Sequence, residues 1–254
     1  MDYQLLLPLA LQASEAAAEK ILEVYHSGNF QAEAKGDNSP VTLADKQAHE
    51  VITGILQVSG LPVISEEGKT IPYEERKHWE HFWMVDPLDG TKEFLKRNGE
   101  FTVNIALIRQ GVPVLGVVLV PVTGDIYFGA EGAGAFVKRM QITSKLGHRL
   151  PIDLQQPGLR VVASRSHMND ETRAFIQSLK QPSLVSQGSS LKFMLLAENK
   201  ADVYPRYAPT MEWDTAAAHA ILHEVGMKVY HLGRGNEELL YNKETLLNPY
   251  FLVR

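Results

Sequence analysis

Two carboxylates, Asp86 and Asp89, stand three apart in the run Trp83-Met84-Val85-Asp86-Pro87-Leu88-Asp89-Gly90-Thr91-Lys92-Glu93-Phe94. An apolar stretch leads into them, Pro87 fixes one backbone angle, and Gly90 permits a sharp turn. Such a turn can aim both carboxylates and the Leu88 carbonyl at one place. An all-oxygen set of this kind suits a hard divalent cation such as Mg²⁺. Thr91 then opens a short helix, whose first free amides suit a phosphate group. The plainer alternative is ordinary turn chemistry, in which Asp bonds its own backbone.

Three other acidic positions repeat the pattern. Glu66-Glu67 follows a short apolar strand, and Trp213-Asp214 precedes an Ala-rich helix. Each also has a simple structural reading: an exposed charged pair for the first, a helix cap for Asp214. Thr42 and Asp45 have capping-box spacing, and Asp45 is equally suited to orient the Thr91 hydroxyl. Strand ends and helix starts are where α/β proteins build their sites. Carboxylates meeting in a low-dielectric cleft repel by several kcal/mol, and cations such as Mg²⁺ remove that repulsion.

The elements that must position these groups are legible from periodicity. Apolar residues at helical spacing predict helices over 3–26 and from 43, the second with Val51, Ile52, Ile55 and Leu56 facing inward. Strands are predicted at 63–65 and 82–85. Residues 101–109 and 112–120 flank Gln110-Gly111 as a hairpin, and 125–129 and 135–138 continue an antiparallel region. From residue 160 strands alternate with helices: strands at 160–163, 184–186, 202–204 and 227–230, helices at 169–179, 189–198 and 215–224. That rhythm defines an α/β half, separated near 151–158 by Pro151, Pro157 and Gly158.

Composition narrows the class. The chain has 254 residues, 44% hydrophobic and 22% charged, which fits a globular fold and excludes a disordered or collagenous one. The absence of cysteine excludes disulfides, thiolate catalysis and Cys-ligated metals. A net charge of −5 disfavours binding of nucleic acid polymers. The longest stretch without Asp, Glu, Lys or Arg, residues 110–124, is too short and too broken by proline to span a bilayer. The N-terminal region lacks the pattern of a secretory signal. A cytoplasmic placement follows as an expectation. The Leu5–Leu11 stripe reads as core packing, with peripheral association at the cytoplasmic face of the inner membrane as the other reading.

Taken together, Val41-Thr-x-Ala-Asp45, Ser65-Glu66-Glu67, Asp86-Pro-Leu-Asp-Gly-Thr-Lys-Glu-Phe94 and Trp213-Asp214-Thr-Ala-Ala resemble the signature segments of the inositol monophosphatase-like superfamily, in its order. Gly90-Thr91-Lys92-Glu93-Phe94 is most similar to its 3′(2′),5′-bisphosphate nucleotidases of the CysQ type. Further matching segments are Val162-Ala-Ser164-Arg-Ser-His167, Gly188-Ser-Ser-Leu-Lys192 and Thr210-Met-Glu-Trp-Asp214; Ala218 stands where many members carry Gly.

The resemblance implies an α/β fold of the α+β kind, a layered αβαβα sandwich like that of inositol monophosphatase and fructose bisphosphatase. It divides into 1–155, carrying most metal ligands, and 156–254, carrying Asp214 and substrate contacts. It implies a lithium-sensitive, Mg²⁺-dependent phosphatase. Glu66, Asp86 and the Leu88 carbonyl would hold one Mg²⁺, and Asp86, Asp89 and Asp214 a second. Glu67 is a candidate for a third. Asp45 and Thr91 would be catalytic, with the Gly90 and Thr91 amides on the phosphate being removed. Glu66, Leu88, Asp89 and Asp214 also border the substrate. The implied substrate is adenosine 3′,5′-bisphosphate, with 3′-phosphoadenylyl sulfate as a second. Inositol or another sugar monophosphate is the competing class. Lys192 and Arg206 are candidates for the 5′-phosphate and Ser164 for the sugar or base. Against these stand a solvated helix lysine and a loop ion pair. Monomer and homodimer are both compatible with the sequence.

Other signals carry less. His219 and His223 are four apart on a predicted helix, as zinc ligands can be. No Glu follows His219 directly, so the pair reads as a helix face. Segment 69–81, with His78 and His81, reads as an exposed loop. Gly129, Gly132 and Gly134 read as turn glycines, and neither a phosphate-binding loop nor a serine nucleophile elbow is present.

Overall fold

The computed structural model describes residues 3–34, 40–163 and 168–254. After a 3₁₀ turn, helix α1 (Leu7–Ser27) buries Ala10, Ala13, Ala17, Ile21 and Val24 along one face. Gly28, at φ 71°, ends it in the left-handed conformation. A short antiparallel ribbon, β1 (Glu33–Ala34) and β2 (Pro40–Val41), leads to α2 (Leu43–Leu56). The capping box is present at its start: the Thr42 side chain accepts from the helix and the Asp45 side chain accepts the Thr42 amide.

Seven strands then form one sheet in chain order: β3 (Val63–Ser65), β4 (His81–Asp89), β5 (Thr102–Arg109), β6 (Val112–Val120), β7 (Asp125–Ala130), β8 (Gly134–Arg139) and β9 (Ile142–Lys145). Only the β3–β4 pair is parallel. The β5–β6 hairpin turns at Gln110 and Gly111, both at positive φ, as a two-residue hairpin demands. β4 runs longer than its apolar signal. It continues through Asp86, opposite Asn104, to Asp89, opposite Thr102, across a bulge that contains Pro87. β9 escapes sequence reading because all four residues are exposed and show no inward-facing alternation.

Segment 69–81 is not simply an exposed loop. It holds the short helix α3 (Tyr73–Arg76) and buries Arg76, whose guanidinium donates to Asn242 Oδ1 at 2.7 Å and Glu244 O at 2.8 Å. A charged side chain can be buried there because a remote amide oxygen and backbone carbonyl satisfy its two terminal nitrogens, while Nε has no partner. Its last residue, His81, already belongs to β4. Helix α4 (Thr91–Leu95) follows β4 directly.

The second half supplies β10 (Arg160–Val162), α5 (Asp170–Ser178), β11 (Ser183–Val185), α6 (Leu191–Ala197), β12 (Tyr204–Arg206), α7 (Ala216–Glu224), β13 (Val229–His231) and β14 (Phe251–Val253). Asp202 and Val203, predicted as strand, bond Arg160 O just ahead of β12. β14 lies between β12 and β13, antiparallel to both, and a bridge from Val161 to Val203 joins this sheet to the parallel β10–β11 pair.

The layers follow from where apolar side chains go. Helices α1 and α2 cover one face of the large sheet, packing Ile21, Ile52 and Leu56 with Trp83, Val85 and Ile105. The Leu5–Leu11 stripe largely joins this cluster, although Leu5 itself is 76% exposed. Helices α6 and α7 cover the opposite face, packing Phe193, Met194 and Ile221 with Phe82, Met84 and Val118. That central cluster runs from Ile64 to Val253 and so draws on both halves of the chain. At Gly116 of β6 an added Cβ would lie 2.1 Å from Ala217 O, so glycine lets α7 seat its backbone against the sheet. The small sheet lies beyond, with Phe175 and Ile176 of α5 against Val161, Val203 and Leu252. The result is the αβαβα sandwich. Among the described residues no helix is long and apolar enough to cross a membrane.

Candidate active site

Parallel pairing of β3 with β4 sets Ser65 opposite Val85, so the acidic groups after each position emerge side by side. Glu66 N–H donates to Val85 O at 3.1 Å. His49 of α2 steadies the end of β3 through a 2.8 Å hydrogen bond to Ser65 Oγ. Asp86 is buried, and its Oδ1 accepts Leu88 N–H at 3.1 Å. This local bond shapes the bulge that carries the chain on to Asp89.

Asp89 is held by groups one hundred residues away. Its Oδ2 accepts from Ser189 Oγ at 2.5 Å, Ser190 N–H at 2.7 Å and Ser190 Oγ at 2.9 Å. Asn104 Nδ2 donates to Ser190 Oγ at 2.9 Å, and Thr102 Oγ1 lies 2.7 Å from Ser189 Oγ. Ser189 and Ser190 fall in the Gly188–Lys192 segment, whereas Thr102 and Asn104 carry no motif of their own. At Gly188 a Cβ would lie 2.9 Å from the Glu100 side chain.

Asp214 ends a 3₁₀ turn, Glu212–Asp214, and its Oδ2 accepts Met211 N–H at 2.8 Å. It therefore does not act as a side-chain cap of α7, whose N-cap residue is Thr215. Ser190 Oγ also lies 2.9 Å from Asp214 O, so one hydroxyl touches both acidic residues.

The four acids act on one another electrostatically. Burial raises the Asp86 pKa well above the usual range, and the charges of Glu66, Asp89 and Asp214 push it further. Asp214 is likewise raised by burial, then by Asp89 and Glu66, while Arg206 acts in the opposite sense. Among the described residues, these carboxylates do not bring three ligand oxygens within 4.8 Å of one another.

Asp45 is 2% exposed and serves two partners with two oxygens. Oδ2 accepts the Thr42 amide at 2.7 Å and its hydroxyl at 2.5 Å, while Oδ1 accepts Thr91 Oγ1 at 3.2 Å. The carboxylate thus makes both the capping contacts to Thr42 and a contact to Thr91. Burial raises the Asp45 pKa to about 6; the Thr42 bonds oppose this, and Glu67 and Glu66 add to it.

A cavity of about 400 Å³ opens beside the acids, lined among others by Asp89, Gly90, Lys192, Arg206 and Asp214. Lys192 Nζ donates to Ser189 O at 3.1 Å, and Arg206 Nη2 to Pro209 O at 3.1 Å. Ser164 lies outside the described residues. Gly90, at φ 96°, adopts the left-handed conformation the turn needs.

A layered αβαβα sandwich with buried carboxylates converging beside a polar cleft defines a class of phosphatases. The model of the inositol monophosphatase family matches residues 2–251, and the chain belongs to that family. It is 46% identical over 245 residues to the 3′(2′),5′-bisphosphate nucleotidase CysQ of Salmonella typhimurium, covering 95% of this chain and 96% of that protein. The crystal structure of CysQ from Bacteroides thetaiotaomicron superposes with a TM-score of 0.87 at 46% identity, covering 100% of this chain and 98% of the other. An inositol monophosphatase from Anabaena superposes at 0.72 with 24% identity, covering 99% of this chain and 90% of that one, a likeness of fold alone.

Proposed function

We infer that the protein is a 3′(2′),5′-bisphosphate nucleotidase, a phosphoric monoester hydrolase that removes the 3′-phosphate of adenosine 3′,5′-bisphosphate to give AMP and phosphate. 3′-Phosphoadenylyl sulfate is the second substrate of this reading. One observation carries it: Glu66, Asp86, Asp89 and Asp214 act on one another electrostatically, and Asp89 and Asp214 line the cavity that Lys192 and Arg206 also line. Likeness to nucleotidases over nearly the whole chain favours the nucleotide over an inositol or sugar phosphate.

The donor set fits Mg²⁺, being all oxygen and including the buried Asp86 and the partly buried Asp214, whose ionisation is costly without a cation. Glu66, Asp86 and the Leu88 carbonyl would hold one ion, Asp86, Asp89 and Asp214 a second, and Glu67 a third. Bound Mg²⁺ supplies Lewis-acid stabilisation of phosphoryl charge and makes water more acidic.

The chain's own residues do the rest. Asp45 holds Thr91 Oγ1 and accepts its proton, so the hydroxyl oxygen is free to accept one from the attacking water. The Gly90 and Thr91 amides face the phosphate being transferred. Lys192 and Arg206 bind the 5′-phosphate, and Ser164 contacts the sugar or base. As the water oxygen bonds phosphorus, the bond from phosphorus to the 3′ oxygen breaks, and that oxygen takes a proton from solvent as AMP leaves. In this division of labour residues 1–155 supply most of the acidic ligands, while 156–254 supply Asp214 and the substrate contacts.

Phosphate release with Mg²⁺, compared across adenosine 3′,5′-bisphosphate, 3′-AMP and inositol 1-phosphate, tests the reading. The bisphosphate should have the highest kcat/KM, and Arg206→Ala should raise its KM about tenfold or more while leaving 3′-AMP nearly unchanged. Preference for inositol 1-phosphate would transfer the protein to the sugar phosphatases.

A further inference from the structure

Helix α7 leaves the acidic pocket beside Asp214, and its later turns carry a different chemistry. His219 and His223 project from one face with ring centroids 4.2 Å apart. Glu238, set beside β13 by an antiparallel bridge to Tyr230, brings Oε2 to 2.7 Å from His223 Nε2 and 3.6 Å from His219 Nε2. One ligand atom from each residue lies within 4.8 Å of the other two, an arrangement found nowhere else among the described residues. His223 lies nine positions beyond Asp214, about 13 Å along a helical axis.

His219 is fully buried, and its Nε2 has no hydrogen-bond partner. The proton position follows from the chain of bonds behind it. Thr215 Oγ1 donates to Glu212 O at 3.1 Å and accepts from Tyr241 Oη at 3.2 Å. Tyr241 Oη lies 3.0 Å from His219 Nδ1 and, with its proton directed to Thr215, is set to accept from that nitrogen. The buried ring is neutral at physiological pH, since burial lowers its pKa to about 4. A neutral ring protonated on Nδ1 leaves a bare lone pair on Nε2, close to a carboxylate. A cation between His219 Nε2 and Glu238 Oε2, 3.6 Å apart, would satisfy both.

The surroundings match what metal-binding imidazoles require. The second nitrogen of His219 is fixed by Tyr241, and Glu238 Oε1 is fixed by Lys228 Nζ. The cluster lies toward the C-terminal end of α7, where the helix dipole favours positive charge. A cavity of about 450 Å³, lined by His223, Lys228 and Glu238, leads to it from the surface. Two imidazoles and one carboxylate with room for water suit a borderline dication. This is unlike the all-oxygen set around Asp86.

We propose that His219 Nε2, His223 Nε2 and the Glu238 carboxylate form a second metal site, for a transition-metal dication of the Zn²⁺ class. Binding would displace the proton now shared by His223 and Glu238.

The test uses the full-length protein, stripped of metal, supplied with excess Mg²⁺ to occupy the acidic pocket, and titrated with Zn²⁺. Co²⁺ serves as a second, coloured probe. The wild type should take up one Zn²⁺ per chain and unfold at a higher temperature, and Co²⁺ should give the visible bands of imidazole ligation. His223→Ala and Glu238→Gln, both at partly exposed positions, should each weaken Zn²⁺ binding at least tenfold and lose the Co²⁺ bands. Both should retain Mg²⁺-supported phosphate release. Failure of the wild type to take up Zn²⁺, or undiminished uptake in both variants, would overturn the assignment.

Discussion

Thr91 and Asp45 belong to elements forty-six residues apart, yet the Thr91 hydroxyl donates to Asp45 Oδ1 at 3.2 Å. The same carboxylate caps α2 through its other oxygen, so the start of one helix is tied to the Gly90–Thr91 turn. Asp45→Asn should lower kcat by ~10²–10⁴-fold, the usual cost of losing a positioned base, without loss of fold. Because burial raises the Asp45 pKa to about 6, the carboxyl is ionised above that pH and protonated below it. Wild-type kcat should therefore fall as pH drops through about 6. Rising Mg²⁺ should move this limb downward, since Glu66 and Glu67 contribute to the upward shift. A steady-state pH profile checks both points, and an acid limb that survives unaltered in Asp45→Asn would assign it to another group.

Ser190 acts through Asp89. Its amide and hydroxyl both bond Asp89 Oδ2, and the hydroxyl also reaches Asp214 O. Ser190→Ala keeps the amide bond and removes the bridge. The Mg²⁺ concentration for half-maximal activity should rise about 10–100-fold, as with other lost supports of metal ligands. Saturating Mg²⁺ should restore most of kcat. A Mg²⁺ titration of activity reads this directly, and an unchanged midpoint would reduce Ser190 to packing.

Asp86 should destabilise the metal-free protein. Its folded pKa lies above the unfolded value, so ionisation is costlier in the folded chain, and stability is lost as pH rises through the folded pKa. Asp86→Asn should therefore raise the Tm of EDTA-treated protein at neutral pH while abolishing activity. Each pKa unit corresponds to about 1.4 kcal/mol, and each kcal/mol to ~2–4 °C at this chain length. The gain should shrink toward pH 4, where the unfolded carboxylate also protonates. Melting curves at several pH values would show it; a lower Tm for the variant at neutral pH would mean that its hydrogen bonding outweighs the repulsion.

Gly116 links packing to the site. A methyl group there meets Ala217 O at 2.1 Å, a backbone atom with no rotamer to change. Gly116→Ala should cost about 1–3 kcal/mol or more as an overpacked contact. It should also lower activity, because α7 follows directly from Asp214. Thermal melting with a parallel Mg²⁺ titration checks the pairing of effects; full activity in a destabilised variant would uncouple helix seating from the acidic pocket.

Much of the protein can be read locally. The turn through Asp86 and Asp89, the Thr42–Asp45 cap, the Gln110-Gly111 hairpin and the inward faces of α1 and α2 depend on neighbours a few residues away. Periodicity and turn chemistry report such neighbours. Even the acidic ligand candidates announce themselves, because each ends a strand or borders a helix.

What tertiary structure alone decided involves partners distant in sequence. Three residues, 251–253, carry too little pattern to predict a strand, yet they fill the middle of the small sheet because β12 and β13 offer ladders on both sides. Arg76 is buried because Asn242 and Glu244 arrive to satisfy it. Ser189 and Ser190 gain meaning only when folding delivers them to Asp89. The spacing of His219 and His223 is visible in the chain, but Glu238 joins them through strand pairing, and a burial that strips His219 Nε2 of partners exists only in the folded state. Local propensities act over a turn or two, whereas charge, desolvation and ligand geometry act through space.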